Sequence, residues 1–355
     1  MSRFLSDRCA VLKPYVPGEQ PTDMKYIKLN TNESPYPPSP KVTARITGDE
    51  VGLQRLYPDP TGNDLRENVA RSYGVAPENI FLANGSDEAL AFMFMAFCDA
   101  QKPIVFPDIT YGFYPVYCAL FGIPYEIIPL REDFTVNCAD YFEIGKNIVL
   151  ANPNAPTGLT LSPDEIQQIL RTNPDNVVII DEAYVDFGAQ SVVGLIKKYE
   201  NLLVVHTCSK SRALAGARLG FVFGRKELIA DIEKIRYSFN SYNVTRLTLA
   251  AGEAALDDQP YYDDMQKTIM DTRLKTAAAL KALGFEMTES KANFLFARCP
   301  GYDGGELYRK LKDMGILVRH FDKPRISDYL RITIGTPEQM QALIIALKTI
   351  LEKGE

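Results

Sequence analysis

Between residues 79 and 223 the chain repeats one device: a short, mostly apolar run, a helical pattern, then another apolar run. The runs fall at 79–83, 103–106, 125–128, 147–151, 177–180, 202–206 and 220–223. Runs of this length without polar alternation suit strands covered on both faces, and helix-length spacers between them suit crossover connections. The pattern predicts an α/β fold, with a mainly parallel seven-stranded sheet lying between helices in a large domain. Helix starts are written between the runs. Ser162-Pro163-Asp164-Glu165 is a capping box with proline at the first helical position, and Thr336-Pro337-Glu338-Gln339 repeats the device near the carboxyl end. From about residue 250 the order changes to long helices followed by a few strands, among them 293–297 and 330–334, which predicts a smaller α+β domain. Ahead of the repeats, Pro14, Pro17, Pro21, Pro35, Pro37, Pro38 and Pro40 oppose helix and predict an extended arm. The expected division is therefore an arm over 1–40, packed on the small domain or a partner subunit, a large ligand-binding domain over 41–250, and a small domain over 251–355.

Composition narrows the function. The 355 residues are 46% hydrophobic and 24% charged, ordinary for a folded enzyme. Lys and Arg total 39 against 45 Asp and Glu, a net charge of −6 that disfavours general nucleic-acid binding. The most apolar stretch, 89–98, is shorter than the ~18 residues a membrane span needs, and residues 1–18 have no apolar core of the secretory kind. Six cysteines stand singly, at 9, 98, 118, 138, 208 and 299, a spacing that suits reduced cytoplasmic thiols. With only His206 and His320 present, a His-rich metal centre is not expected, and no metal site is assigned.

Open parallel sheets bind ligands beyond the carboxyl ends of their strands, so the residues just past each strand matter most. After 79–83 comes Asn84-Gly85-Ser86-Asp87-Glu88, either an ordinary cap or a helix start whose N–H groups and Ser86 hydroxyl hold a phosphate. After 147–151 comes Asn152-Pro153-Asn154-Ala155-Pro156-Thr157-Gly158, a turn whose amides could also hold a polar ring. Asp181-Glu182-Ala183-Tyr184 ends the next strand, and a carboxylate there calls for a cationic partner, from the fold or from a ligand. The segment after 202–206 decides the matter. From Thr207 to Gly220 small residues crowd around Lys210, and a second cation, Arg218, follows eight positions later; a lysine near other positive charge loses its proton more easily, as carbonyl chemistry needs. Together these ends describe a ligand with a phosphate (Ser86, Ser209, Arg218), a ring nitrogen able to become cationic (Asp181) and an aldehyde (Lys210). Pyridoxal 5′-phosphate has these groups.

At these residues the chain resembles the fold-type I pyridoxal-phosphate-dependent aminotransferases, and within them the histidinol-phosphate branch. The resemblance spans essentially the whole chain, through Lys28-Leu29-Asn30-Thr31-Asn32-Glu33-Ser34-Pro35, Arg55-Leu56-Tyr57-Pro58, Asn84–Glu88, Tyr111-Gly112, Asp181–Tyr184, the Lys210 to Arg218 loop and Leu330-Arg331-Ile332-Thr333-Ile334-Gly335. It implies that Lys210 binds the cofactor aldehyde and shuttles a proton, that Asp181 pairs with the pyridine nitrogen, and that Tyr111 stacks on the ring. Tyr184 is implied to donate toward the phenolic oxygen. Ser86, Asp87, Ser209 and Arg218 are implied to line the phosphate cradle, with Asp87 orienting its neighbours, and Tyr57 to reach the phosphate of a neighbouring subunit in a homodimer. Arg331 is the implied anion clamp, helped by Arg319 and Tyr15. The family's asparagine before Pro-Thr-Gly is replaced here by Ala155, and Asn154 is the expected substitute. His206 and His320 are expected to be structural. The implied activity is transamination of L-histidinol phosphate with 2-oxoglutarate, giving imidazole acetol phosphate and glutamate, by an enzyme with no nucleic-acid or membrane partner. An aromatic amino acid aminotransferase and a threonine-phosphate decarboxylase share the scaffold and are the alternatives. A regulator that only senses pyridoxal phosphate would need a DNA-binding domain ahead of the arm.

Overall fold

The computed structural model describes residues 3–352; residues 1–2 and 353–355, the outer ends of the expected arm and small domain, lie outside the described residues. Strand β1 (Ile27–Lys28) belongs to the arm. The main sheet comes next, from β2 (Ile80–Ala83), β3 (Ile104–Pro107), β4 (Tyr125–Ile128), β5 (Asn147–Ala151), β6 (Val178–Asp181), β7 (Leu202–Thr207) and β8 (Gly220–Gly224). Every expected run is a strand, with its ends displaced by no more than one residue. The order across the sheet is β2-β8-β7-β6-β5-β3-β4. Only β8 runs against its neighbours, antiparallel to both β2 and β7.

The unbroken apolar runs find their reason in the packing. Leu202 and Val204 of β7 join one core while Leu203 and Val205 join another on the opposite face, and β6 divides in the same way between Ile180 and Ile179. Helices cover both faces. Helix Pro163–Thr172 begins at the predicted capping box: the Glu165 N–H donates to Ser162 Oγ at 3.3 Å and the Ser162 N–H donates to Glu165 Oε2 at 2.7 Å. The same reciprocal pair joins Thr336 and Gln339 at the start of helix Pro337–Glu352.

The carboxyl-terminal part holds β9 (Glu286–Met287), β10 (Phe294–Arg298), β11 (Ile316–Leu317), β12 (Arg319–His320) and β13 (Tyr329–Thr333). Four of these form an antiparallel sheet in the order β12-β13-β10-β9, and β11 pairs in parallel with β1 of the arm. The two longer strands match the expected 293–297 and 330–334; the two-residue strands carry no hydrophobic period and left no trace in the sequence. The arm therefore lies along this carboxyl-terminal part. Leu29 N–H donates to the Leu317 carbonyl at 2.7 Å, and Thr333 N–H donates to the Leu29 carbonyl at 2.9 Å.

Reversal of β8 has one local demand. Its first residue, Gly220, sits between Ala83 and Thr207 and against the start of helix Gly85–Phe97, and a Cβ there would lie 2.7 Å from the Gly85 carbonyl carbon and 2.8 Å from the Ser86 nitrogen. Backbone cannot yield as a side chain can. Gly220→Ala is expected to cost roughly 1–3 kcal/mol of stability, read as a lower urea midpoint; an unchanged midpoint would mean that the helix start can retreat freely.

Candidate active site

Beyond the carboxyl ends of β2, β3, β5, β6 and β7 lies a cavity of about 820 Å³, closed on its far side by the arm and by β12 and β13. Because β8 runs the other way, the residues before it, including Arg218, open onto this same edge. Ser86, Asp87, Tyr111, Asp181, Tyr184, Ser209, Lys210, Arg218, Tyr15, Arg319 and Arg331 all line it. The sequence thus named eleven residues that one cavity gathers from across the chain.

Asp181 ends β6 with its carboxylate buried. The Tyr114 hydroxyl donates to its Oδ2 at 3.0 Å and the Ala183 N–H to its Oδ1 at 3.2 Å. Burial pushes the carboxyl up to about 6, against the downward pull of those two hydrogen bonds. No cation pairs with it among the described residues, so the group is set to hold a positively charged ring nitrogen or a proton. Across the cavity, Lys210 Nζ donates to the Thr31 carbonyl at 3.2 Å. Enclosure, with the charge of Arg331 second, brings its amine down to about 8.

Near Lys210 a polar cradle forms around the helix start. Arg218 takes a left-handed backbone (φ 55°) and its Nη2 meets Asp87 Oδ2 at 3.1 Å. Asp87 also accepts from the Tyr111 hydroxyl at 2.7 Å, so one carboxylate orients both the guanidinium and the ring. Gly85 makes room: a Cβ there would fall 2.3 Å from Arg218 Nη2, and its φ of 78° disfavours any side chain. Thr207 Oγ1 lies 2.9 Å from Ser209 Oγ and accepts the Ser209 N–H at 3.1 Å, which fixes the serine beside the cradle.

Opposite, Arg319 and Arg331 are direct cross-strand partners on β12 and β13. Like charges in that register repel unless an anion lies between them. Arg331 Nη2 donates to the Asn30 carbonyl at 3.0 Å, its Nε is buried without a partner among the described residues, and its guanidinium lies over Phe294 and Phe321. Arg319 donates to the Val16 and Pro17 carbonyls at 3.2 and 3.3 Å. Neither forms an ion pair among the described residues. Tyr15 leans on Phe113, centroids 4.7 Å apart, and faces Tyr111.

Two expected residues stand elsewhere. Asn154 points away from the cavity: its Nδ2 donates to the Ile109 carbonyl at 2.9 Å and Thr157 Oγ1 at 3.1 Å, and its Oδ1 accepts from Thr110 at 2.8 Å. Ala155 lines the wall instead, in an apolar cluster with Ala292, Phe294 and Tyr184. One residue along an extended turn reverses the side chain's direction, so Asn154 cannot stand in for the missing asparagine. Tyr57 is 77% exposed, stacked on Tyr242 at 4.5 Å, and outside the cavity of its own chain. His206 is buried between Glu182 Oε2 at 2.7 Å and the Tyr73 hydroxyl at 3.1 Å, and His320 meets the Ser327 carbonyl at 2.7 Å; both brace structure. Sequence reasoning missed Tyr114, Thr207 and Asn32. The last two lie within or beside motifs already singled out, whereas Tyr114 reads as one more apolar helix residue.

The depressed Lys210 amine has a measurable signature in the ligand-free protein. Its neutral, reactive fraction grows as pH rises past about 8, whereas ordinary surface lysines wait until about 10.4. Reductive alkylation by a small aldehyde, with peptide mass analysis afterwards, should therefore show Lys210 half-maximally modified near pH 8. A midpoint level with the surface lysines would contradict the electrostatics described.

Comparison with known proteins agrees with the geometry. Residues 24–347 match the family described as aminotransferase class I and II. The chain is 51% identical over 353 residues to histidinol-phosphate aminotransferase 1 of Bordetella parapertussis, covering 99% of each. It is 50% identical over 353 residues to the histidinol-phosphate aminotransferase of Brachyspira hyodysenteriae, covering 99% of this chain and 100% of the other. Among solved structures, histidinol-phosphate aminotransferase from Sinorhizobium meliloti in complex with pyridoxal 5′-phosphate superposes with a TM-score of 0.84 at 25% identity, over 93% of this chain and 92% of that one. With that likeness along its full length and a lysine, an aspartate and an arginine meeting at one sheet edge, the chain belongs to the class I and II aminotransferases, in the group of the histidinol-phosphate enzymes.

Proposed function

We infer that this enzyme passes the amino group of L-histidinol phosphate to 2-oxoglutarate, giving imidazole acetol phosphate and glutamate in histidine biosynthesis, with pyridoxal 5′-phosphate as cofactor. The observation that carries the reading is the meeting of Lys210, Asp181 and Arg218 on one side of a cavity whose other side presents Arg319 and Arg331 as a pair. The donor set fits the cofactor. A buried carboxylate without a cation suits a protonated ring nitrogen, and the Gly85 notch, Ser86, Ser209 and Arg218 suit a phosphate. Bound there, the cofactor supplies an electrophilic carbonyl carbon and a ring that takes up an electron pair released at the substrate carbon.

The protein's groups divide the remaining work. Lys210 would hold the cofactor through its aldehyde, and its amine is the group that would accept the proton of the substrate's amine-bearing carbon and give it back. Its lowered pKa keeps a useful neutral fraction near neutral pH. Asp181 would hold the proton on the ring nitrogen, Tyr111 would lie against the ring face, and Tyr184 would donate to the phenolic oxygen. Ser86, Ser209 and Arg218 would hold the phosphate, while Asp87 orients Arg218 and Tyr111. Arg331, with Arg319 and Tyr15, grips the substrate phosphate and afterwards a carboxylate of 2-oxoglutarate. The unpartnered Arg331 Nε supports that role.

The active unit is a homodimer in the cytoplasm. Tyr57 reaches the cofactor phosphate of the second copy; its exposure, and that of Val51 and Leu56 nearby, supports a covered apolar face there. The unpaired cysteines suit a reducing compartment.

Absorbance tests the reading directly. The yellow, cofactor-loaded protein should lose its visible band on adding L-histidinol phosphate without an oxo acid, and far less readily with L-phenylalanine or threonine phosphate. A response to phenylalanine alone would remove the substrate assignment, and failure to take up the cofactor at all would remove the role of Lys210. Arg331→Gln should lower kcat/KM for L-histidinol phosphate by about 100-fold or more, the scale of a buried charge left unpaired. Shared sites have their own test. Inactive Lys210→Ala and weakened Tyr57→Ala homodimers, unfolded and refolded together in equal amounts, should regain about a quarter of full activity, because half the dimers then carry one intact site. No regain would place Tyr57 outside the partner's site.

A further inference from the structure

Three consecutive arm residues each meet a different side chain of the cavity. The Asn30 carbonyl accepts from Arg331, the Thr31 carbonyl from Lys210, and Asn32 Nδ2 donates to the Tyr184 hydroxyl oxygen at 2.9 Å. Asn32 is the most firmly held of them. It is 1% exposed in left-handed backbone, with φ 56°. Its N–H donates to Thr333 Oγ1 at 3.0 Å, the Thr333 hydroxyl donates to its Oδ1 at 3.0 Å, and Asn293 Nδ2 donates to its carbonyl at 3.0 Å.

Counting protons gives these contacts a direction. Thr333 Oγ1 already accepts from Asn32 N–H, so its single proton goes to Asn32 Oδ1, and the amide NH2 must face Tyr184. Turning the amide over would aim two donors at Thr333 Oγ1 and leave the buried threonine proton no acceptor among the described residues. An amide NH2 cannot accept. The Tyr184 proton is therefore barred from Asn32, and no other acceptor among the described residues receives it. Tyr184 lines the cavity beside Ala155, and its ring packs on the apolar cluster of Ala155, Ala292 and Phe294.

We propose that Asn32 is a positioning residue: by donating to the Tyr184 oxygen, it turns the tyrosine's own proton into the cavity, making Tyr184 an obligate donor to an anionic oxygen of the bound ligand. The inference rests on the cofactor reading above, in which that oxygen is the phenolic one. Asn32 also lines the cavity, and the role assigned to it is exerted through Tyr184. A donor at the phenolic oxygen favours the form of the bound cofactor that carries more negative charge, the form that has lost its proton. Without that donor, the pH at which the bound cofactor's absorbance changes must rise.

The test is a pH titration of the visible absorbance of the cofactor-loaded, substrate-free enzyme, for Asn32→Ala and Asn32→Asp, each with Tyr184 intact and in a Tyr184→Phe background. With Tyr184 intact, Asn32→Ala should raise the midpoint by about 0.5–1 pH unit, the equivalent of one hydrogen bond. In the Tyr184→Phe background the same change should add almost nothing. Asn32→Asp places an acceptor where a donor stood and should raise the midpoint at least as far as Asn32→Ala, again mostly through Tyr184. Should either Asn32 variant fail to fold, Thr333→Val releases the amide to turn over and should move the midpoint the same way by less. Equal shifts with and without the tyrosine hydroxyl, or none with it present, would overturn the proposal. A wild-type protein with no cofactor band would instead overturn the cofactor reading beneath it.

Discussion

Asp181 closes a strand that is buried on both faces, and its carboxylate meets a tyrosine hydroxyl and a backbone amide but no cation among the described residues. Burying such a group raises the free energy of the folded chain unless something in the site offsets it. The surrounding architecture holds that position open to a ligand instead of filling it. Tyr114 comes from the helix after β3, Lys210 from the loop after β7, and Arg218 from the loop before the one reversed strand. These residues are scattered along the chain, and the sheet order brings them together. A binding site built this way is rigid where charges must be placed and depends on the sheet's register for accuracy.

Much of this is legible in the sequence alone. A strand covered on both faces must be apolar throughout, so the inner strands of the main sheet declare themselves, and the polar residues past β2, β5, β6 and β7 point to the site. Lys210, Asp181 and Arg218 stand out in that way. The failures have physical causes as well. Asn154 and Ala155 are neighbours in a turn where one step reverses a side chain, and periodicity says nothing about a segment that has none. Tyr114 resembles core until its hydroxyl is placed 3.0 Å from a buried carboxylate. Two-residue strands such as β1 and β11 carry too little pattern to be seen, although their pairing fixes the arm.

The two sides of the cavity obey different physics. On the sheet side, groups are fixed by strand ends and a helix start, and opposite charges such as Asp87 and Arg218 balance within the protein. On the other side, Arg319 and Arg331 face each other in register with no carboxylate partner among the described residues. The sheet side is thus suited to a permanent occupant and the arginine side to anions that come and go. An exchange between two different substrates on one retained group needs this asymmetry.

Asn32 and Thr333, joined twice, are 301 positions apart, and β1 pairs with β11 across a similar span. The arm is made ahead of the main sheet, whereas the partners that hold it are made after the sheet. Contacts of such long range form late, because closing the intervening loop costs entropy before any contact returns it. A nascent chain can thus complete its main sheet while the arm still lacks its strand partner. The cavity's outer wall, and with it the orientation of Tyr184, is in place only once residue 333 has joined the fold.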